Sequence, residues 1–213
     1  MNLPPSTSPP IGQLLDNKLS NSLLLTGNKG IGKKYFISQL FEEYIKKRVE
    51  SEQTHHHLSL IKNNSNIDYL TADLCSNAVM VKMDLTEINY PDESFDMIIC
   101  NHVLEHIIDD RKAMDELYRI LNPGGCAILQ VPISLSLDKT YEDSSVTTPS
   151  EREKIFGQSD HVRIYAIDYL DRLKESGFQV TSFKWWNDEE FSSLNNKFGL
   201  LQHENVFLVA KLA

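Results

Sequence analysis

The sequence predicts an α/β fold in which one mostly parallel sheet, ending in an antiparallel last strand, is covered by crossover helices. Three observations carry that prediction. From residue 67 onward, short apolar runs alternate with stretches of helical periodicity, the order that parallel strands joined by helices produce. Phe95-Asp-Met-Ile-Ile-Cys100 is a nearly continuous apolar run, as a strand buried on both faces requires. Asn122-Pro-Gly-Gly125 separates a helical stripe from the next apolar run, which is how a helix is stopped and returned to the sheet.

Taken in order, residues 1–20 read as a flexible tail, with four prolines among the first ten positions and too little apolar surface to offset the entropy of ordering. Residues 22–26 read as a short buried strand, followed by a glycine loop, Gly27-Asn-Lys-Gly30-Ile-Gly32, and a helix from Lys34 in which Phe36, Leu40, Phe41 and Tyr44 recur at helical spacing. The pattern decays over residues 50–66 into a polar seam, so residues 21–66 form one segment and residues 67–213 a second, larger one. Within the second, strands are expected over 67–71, 79–83, 95–100 and 126–131. Asp109 or Asp110 caps a helix with the stripe Met114, Leu117, Tyr118 and Leu121. A polar connection over 134–158 leads to a helix through Tyr169, Leu170 and Leu173 that ends at Gly177, and strands over 179–185 and 205–211 form an edge pair.

Composition narrows the function classes. A formal charge of −9 over 213 residues argues against a nucleic-acid partner, since affinity for phosphate backbones comes from Lys and Arg displacing counterions. No uninterrupted apolar run approaches the ~20 residues that span a bilayer, and the start lacks a signal-peptide pattern, so a cytoplasmic protein with no membrane partner is expected. Cys75, Cys100 and Cys126 show no paired spacing, and the adjacent His55, His56 and His57 cannot all face one ion from a regular element; no metal centre is expected.

In an open parallel sheet, ligands collect beyond the carboxyl ends of the strands. The residues so placed are Gly27, Gly30 and Gly32, then Asp73, then Asp84 with Leu85, then Asn101 and His102. A carboxylate ending the second strand can accept from both hydroxyls of a ribose; a plain strand-ending turn is the other reading of Asp73. Asp84 can accept from an adenine amine while the Leu85 amide meets the ring. His102, His106 and His161 are the bases available near neutral pH, with His102 preferred because it directly follows a buried strand. His161 and Arg163 could hold an acidic acceptor, or Arg163 could simply pair with Asp160.

The stretch from Val81-Lys-Met-Asp84 through Tyr90-Pro-Asp-Glu-Ser-Phe-Asp96 and Asn101-His-Val-Leu-Glu-His106 to Leu117-Tyr-Arg-Ile-Leu-Asn-Pro-Gly-Gly125 resembles class I S-adenosylmethionine-dependent methyltransferases of the UbiE-like type. The resemblance implies a Rossmann-like three-layer sandwich, S-adenosylmethionine as cofactor and a small-molecule methyl acceptor. It assigns Asp73 and Asp84 to ribose and adenine, and Asn101 and His102 to the space between cofactor and acceptor.

The N-terminal segment reads differently. Gly27, Gly32 and Lys33 fit the phosphate-loop pattern GxxxxGK[ST] except that Lys34 replaces the hydroxyl residue, and with Gln13-Leu-Leu and His57-Leu-Ser-Leu the stretch resembles the start of the clamp-loader delta-prime subunit. Two origins follow, a fusion in which this segment supplies the first strand and glycine loop of a methyltransferase that lost its own, or a divergent methyltransferase whose loop converged on the pattern; a noncatalytic nucleotide- or protein-binding remnant is the functional alternative. In the first, residues 22–26 sit in the sheet beside 67–71 and 95–100, with the glycine loop over the cofactor cleft.

Overall fold

The computed structural model describes residues 22–26, 68–77, 79–184, 187 and 205–212. Its main sheet has seven strands in the order β3-β2-β1-β4-β5-β9-β8. They are β1 (Ser22–Thr26), β2 (Asp68–Asp73), β3 (Val81–Lys82), β4 (Phe95–Asn101), β5 (Leu121–Gln130), β8 (Gln179–Phe183) and β9 (Val206–Ala210). A two-stranded ribbon, β6 (Tyr141–Glu142) and β7 (Arg163–Ile164), stands apart from it. Among the described residues the helices are α1 (Asp110–Ile120), α2 (Pro149–Phe156) and α3 (Tyr169–Glu175), with a 3-10 turn at Leu104–His106. The helix expected from Lys34 and the seam at 50–66 lie outside the described residues.

The centre follows the sequence closely. β4 and β5 pair in parallel, with Ile98 opposite Ala127 and Cys100 opposite Leu129, and α1 connects them. α1 forms where it does because Asp109 Oδ1 accepts the Lys112 N–H at 3.0 Å, satisfying one amide that the first turn leaves without an intrahelical partner. Its buried stripe, Ala113, Met114, Leu117 and Ile120, packs with Ile98, Cys100, Ala127 and Leu129 of the sheet and with Tyr169 and Leu173 of α3. The opposite face of β4 and β5 carries Met97, Ile99 and Ile128, also buried, as a three-layer sandwich demands. At the α1–β5 corner a Cβ on Gly125 would stand 2.8 Å from Asn122 O and 2.9 Å from Asp96 O, so only glycine lets the chain turn this close to β4.

The fold is therefore a Rossmann-like α/β sheet, but a mixed one. β2 with β3 and β4 with β5 are the parallel pairs; β9 runs antiparallel to β5 and β8, as expected of the last strand. The unexpected strand is β1. It occupies the anticipated place between β2 and β4, yet runs antiparallel to both, with Ser22 opposite Ala72 and Cys100, and Thr26 opposite Asp68. A second departure is α2, which stands inside the supposed polar connection. Thr148 and Glu151 make a capping box, Pro149 opens the helix, and Gly157 closes it at φ +88°.

Behind β4, the ribbon, α1 and α3 are tied by a buried ionic cluster. Arg163 is 3% exposed; it donates to the carbonyls of Leu104 (2.9 Å), Ile107 and Ile108 (2.8 Å) and to Glu142 Oε2 (3.0 Å). Arg172 Nη1 donates to Asp110 Oδ2 at 2.9 Å and Arg172 Nη2 to Glu142 Oε1 at 3.0 Å, while the Tyr165 hydroxyl donates to Asp110 Oδ2 at 2.6 Å. This overturns the expectation that Arg163 reaches an acceptor or pairs with Asp160. Its fork is spent on three backbone carbonyls and two carboxylates, which a residue buried in a charged cluster needs to offset desolvation.

Candidate active site

Three strands deliver their following loops to one cleft of about 490 Å³ at their carboxyl ends. β2 contributes Ala72 and Asp73, the turn after β3 contributes Asp84 and Leu85, and the loop after β4 contributes His102. The strand order reverses its winding between β1 and β4, so this is the switch-point position where open α/β sheets place ligands. Its size is that of a small-molecule pocket.

The two carboxylates are fixed by the same device. Asp73 Oδ1 accepts the amides of Cys75 (2.9 Å) and Ser76 (2.8 Å), and Asp84 Oδ1 accepts the Thr86 amide (2.8 Å) and hydroxyl (2.7 Å). In each case both bonds fall on Oδ1, so the turn orients the carboxylate without using Oδ2. The Thr86 amide, reinforced by its hydroxyl, holds the Asp84 carboxyl below the usual carboxylate range, so it is an anion throughout the neutral range.

His102 follows β4 in the left-handed region, at φ +53°, a conformation costing a side-chain-bearing residue roughly 1–3 kcal/mol. Its amide donates to Gln130 O at 2.8 Å, anchoring the turn to β5. The imidazole, 45% exposed, places Nδ1 3.3 Å from Glu105 Oε1, whose side chain is 2% exposed. A buried carboxylate on Nδ1 fixes the orientation of the ring. His106, ending the 3-10 turn, lines the same cleft, with Nδ1 3.4 Å from Asp160 Oδ2 and 3.3 Å from Asp160 O.

His161 stands behind His106, its ring centroid 4.8 Å away in an edge-on contact, and is 7% exposed. It is held there because the neighbouring Val162 amide donates to Glu105 O at 2.9 Å. Burial first, then the adjacent His106, keeps the His161 imidazole below the ordinary histidine range. Asn101 ends β4 beside the cleft rather than lining it, and its buried Oδ1 has no hydrogen-bond partner among the described residues.

The cleft thus gathers Asp73, Asp84, Leu85, His102 and His106 from the sequence-based set. Gly27, Gly30 and Gly32 lie outside the described residues. β1, which precedes them, runs antiparallel to β2 with Thr26 level with Asp68 at the start of that strand. Sequence reasoning also passed over three residues. Glu105 was visible as His102-x-x-Glu105, one helical turn apart, whereas Arg152 and Asp160 reach the cleft only through the placement of α2 and the loop after it.

Residues 30–129 match a family model described as a methyltransferase domain. That stretch, just under half of the chain, is similar to the methyltransferase domain. The match begins at Gly30, inside the segment that resembles the clamp-loader subunit, and gives that second resemblance no support. The chain is similar to the ubiquinone/menaquinone biosynthesis C-methyltransferase UbiE of Vibrio campbellii, 28% identical over 154 residues that cover 64% of this chain and 59% of that protein. It is also similar to the demethylmenaquinone methyltransferase of Clavibacter sepedonicus, 37% identical over 49 residues, 23% of this chain and 20% of that one. The chain spans 59% of the length of the UbiE relatives it matches. Among solved structures it is similar to an S-adenosylmethionine-dependent methyltransferase from Mesorhizobium loti (16% identity, TM-score 0.43, 65% of this chain and 76% of that one). A second is the 1,6-didemethyltoxoflavin-N1-methyltransferase of Burkholderia thailandensis (16%, TM-score 0.39, 62% and 50%). Among the described residues no helix is long and apolar enough to cross a membrane.

Proposed function

We propose that the chain binds S-adenosylmethionine in the cleft at the ends of β2, β3 and β4 and transfers its methyl group to a small-molecule acceptor. The observation that carries this reading is the pair of turn-fixed carboxylates, Asp73 and Asp84, on adjacent strand ends of a cleft that also holds an oriented imidazole. Two acceptor-only groups suit a ribose and an exocyclic amine, and Leu85, 6% exposed, offers apolar surface for a purine face. Arg152 lines the cleft with its Nε buried and unpartnered among the described residues, and is the cation available to a carboxylate. The cofactor supplies an activated methyl on a sulfonium. The chain's part is to hold the acceptor in line with it, with His102 Nε2 placed to take a proton from an acceptor that must lose one.

Isothermal titration tests this. S-adenosylmethionine is expected to bind more tightly than ATP, and Asp84→Ala to weaken it about tenfold to 150-fold, the worth of a hydrogen bond to a charged group at ~1.5–3 kcal/mol. Lys33→Ala is expected to change it little, because a ligand that ends in a sulfonium and an amino acid offers no triphosphate for that lysine to neutralise. Tight ATP binding abolished by Lys33→Ala, with no heat from S-adenosylmethionine, would reject the reading in favour of the phosphate loop.

A further inference from the structure

We propose that Glu105, His106 and His161 bind one divalent transition-metal ion of the zinc class at the inner wall of the cleft. Each offers one donor atom, and these atoms lie within 4.8 Å of one another. Tetrahedral ligands at ~2.1 Å from zinc stand about 3.4 Å apart. Side-chain rotation through little more than an ångström therefore closes the set, and His106, partly exposed at the end of the 3-10 turn, has room to make it.

Two further observations point to an ion rather than to a self-contained hydrogen-bond cluster. The first is Glu105. Oε1 faces His102, but Oε2 is buried and has no hydrogen-bond partner among the described residues, and an anionic oxygen without a donor destabilises the fold unless a cation meets it. The second is Asp160, which stands on Nδ1 of His106 with both its carboxylate and its carbonyl. Metal-bound histidines carry such an oxygen partner on the other ring nitrogen, which sets the tautomer and leaves Nε2 for the ion.

The donors also define the chemistry. Two imidazoles and one carboxylate are borderline ligands that select zinc-like ions over magnesium or calcium, and three protein ligands leave a coordination position open. His106 lines the cleft, so an ion held by it stands at the cleft wall. Resting on the methyl-transfer reading, the role we assign to the ion is to polarise a hydroxyl or thiol of the acceptor and ease its deprotonation beside His102.

The test is metal binding alone, separate from cofactor binding, carried out on the full chain with His55, His56 and His57 replaced by Ala to remove the competing run. Titration with Co²⁺ is expected to give one equivalent and the visible d–d bands of a four- or five-coordinate nitrogen and oxygen site, displaced by one equivalent of Zn²⁺. Glu105→Gln and His161→Ala are expected to abolish the bands. Asp160→Asn, an exposed position where misfolding is not at issue, is expected to weaken Zn²⁺ about 10- to 100-fold. Circular dichroism checks that each variant is folded; Glu105→Gln and Asp160→Asn, which keep side-chain shape, decide the matter if His161→Ala is not. No binding of either ion, or binding indifferent to both shape-keeping variants, overturns the site and leaves the S-adenosylmethionine titration untouched.

Discussion

Arg163→Ala is expected to lower the free energy of unfolding by about 3–5 kcal/mol, the usual cost of removing one partner from a buried ionic cluster. The loss has identifiable parts. The carbonyls of Ile107 and Ile108 lose the guanidinium donor, Leu104 O is left with the Tyr165 hydroxyl and the Ile107 amide, and Asp110, 4% exposed, keeps Arg172 and Tyr165 among the described residues. Arg163→Lys should recover little, because an ammonium cannot reproduce the planar fork that reaches three carbonyls and a carboxylate at once. Urea unfolding measures this as a fall in midpoint at constant slope. An unchanged midpoint with a weakened acceptor KM would return Arg163 to the substrate site, where sequence reasoning had put it.

The second large effect concerns turnover. With an acceptor that must shed a proton, His102→Ala is expected to lower kcat by about 10²- to 10⁴-fold, the range of a positioned general base. Equilibrium binding of S-adenosylmethionine should persist, since Asp73, Asp84 and Leu85 are untouched. Single-turnover formation of S-adenosylhomocysteine across hydroxylated and amino acceptors measures it. Wild-type turnover in the variant would sink the base assignment while leaving methyl transfer by positioning alone.

These two arginine and histidine cases mark what local sequence can reveal. β4, α1 and β5 were legible because burial on both faces, a capping aspartate and a glycine pair are written into consecutive residues. Asp73, Asp84 and His102 were legible because strand ends point to one edge of a parallel sheet. The direction of β1 was not: Ser22-Leu-Leu-Leu-Thr26 has the same apolar character read either way, and direction is set by the connection to its neighbours. Arg163 was misplaced because its burial depends on Glu142 and on the 3-10 turn, tens of residues away. α2 could have been found, since Thr148-Pro-Ser-Glu151 and Gly157 are start and stop signals in their own right.

The reversed first strand also fixes which end of the sheet each tether reaches. Ser22 enters level with Ala72 and Cys100, at the cleft edge, whereas Ala210 leaves level with Cys126 and Gln179, at the far edge. Anything joined upstream of Ser22 is leashed to the mouth of the cleft, and anything joined downstream of Ala210 is held a full strand length away from it. A fluorescent reporter or affinity handle fused directly before Ser22 would stand at the cleft edge, and one fused directly after Ala210 at the far edge.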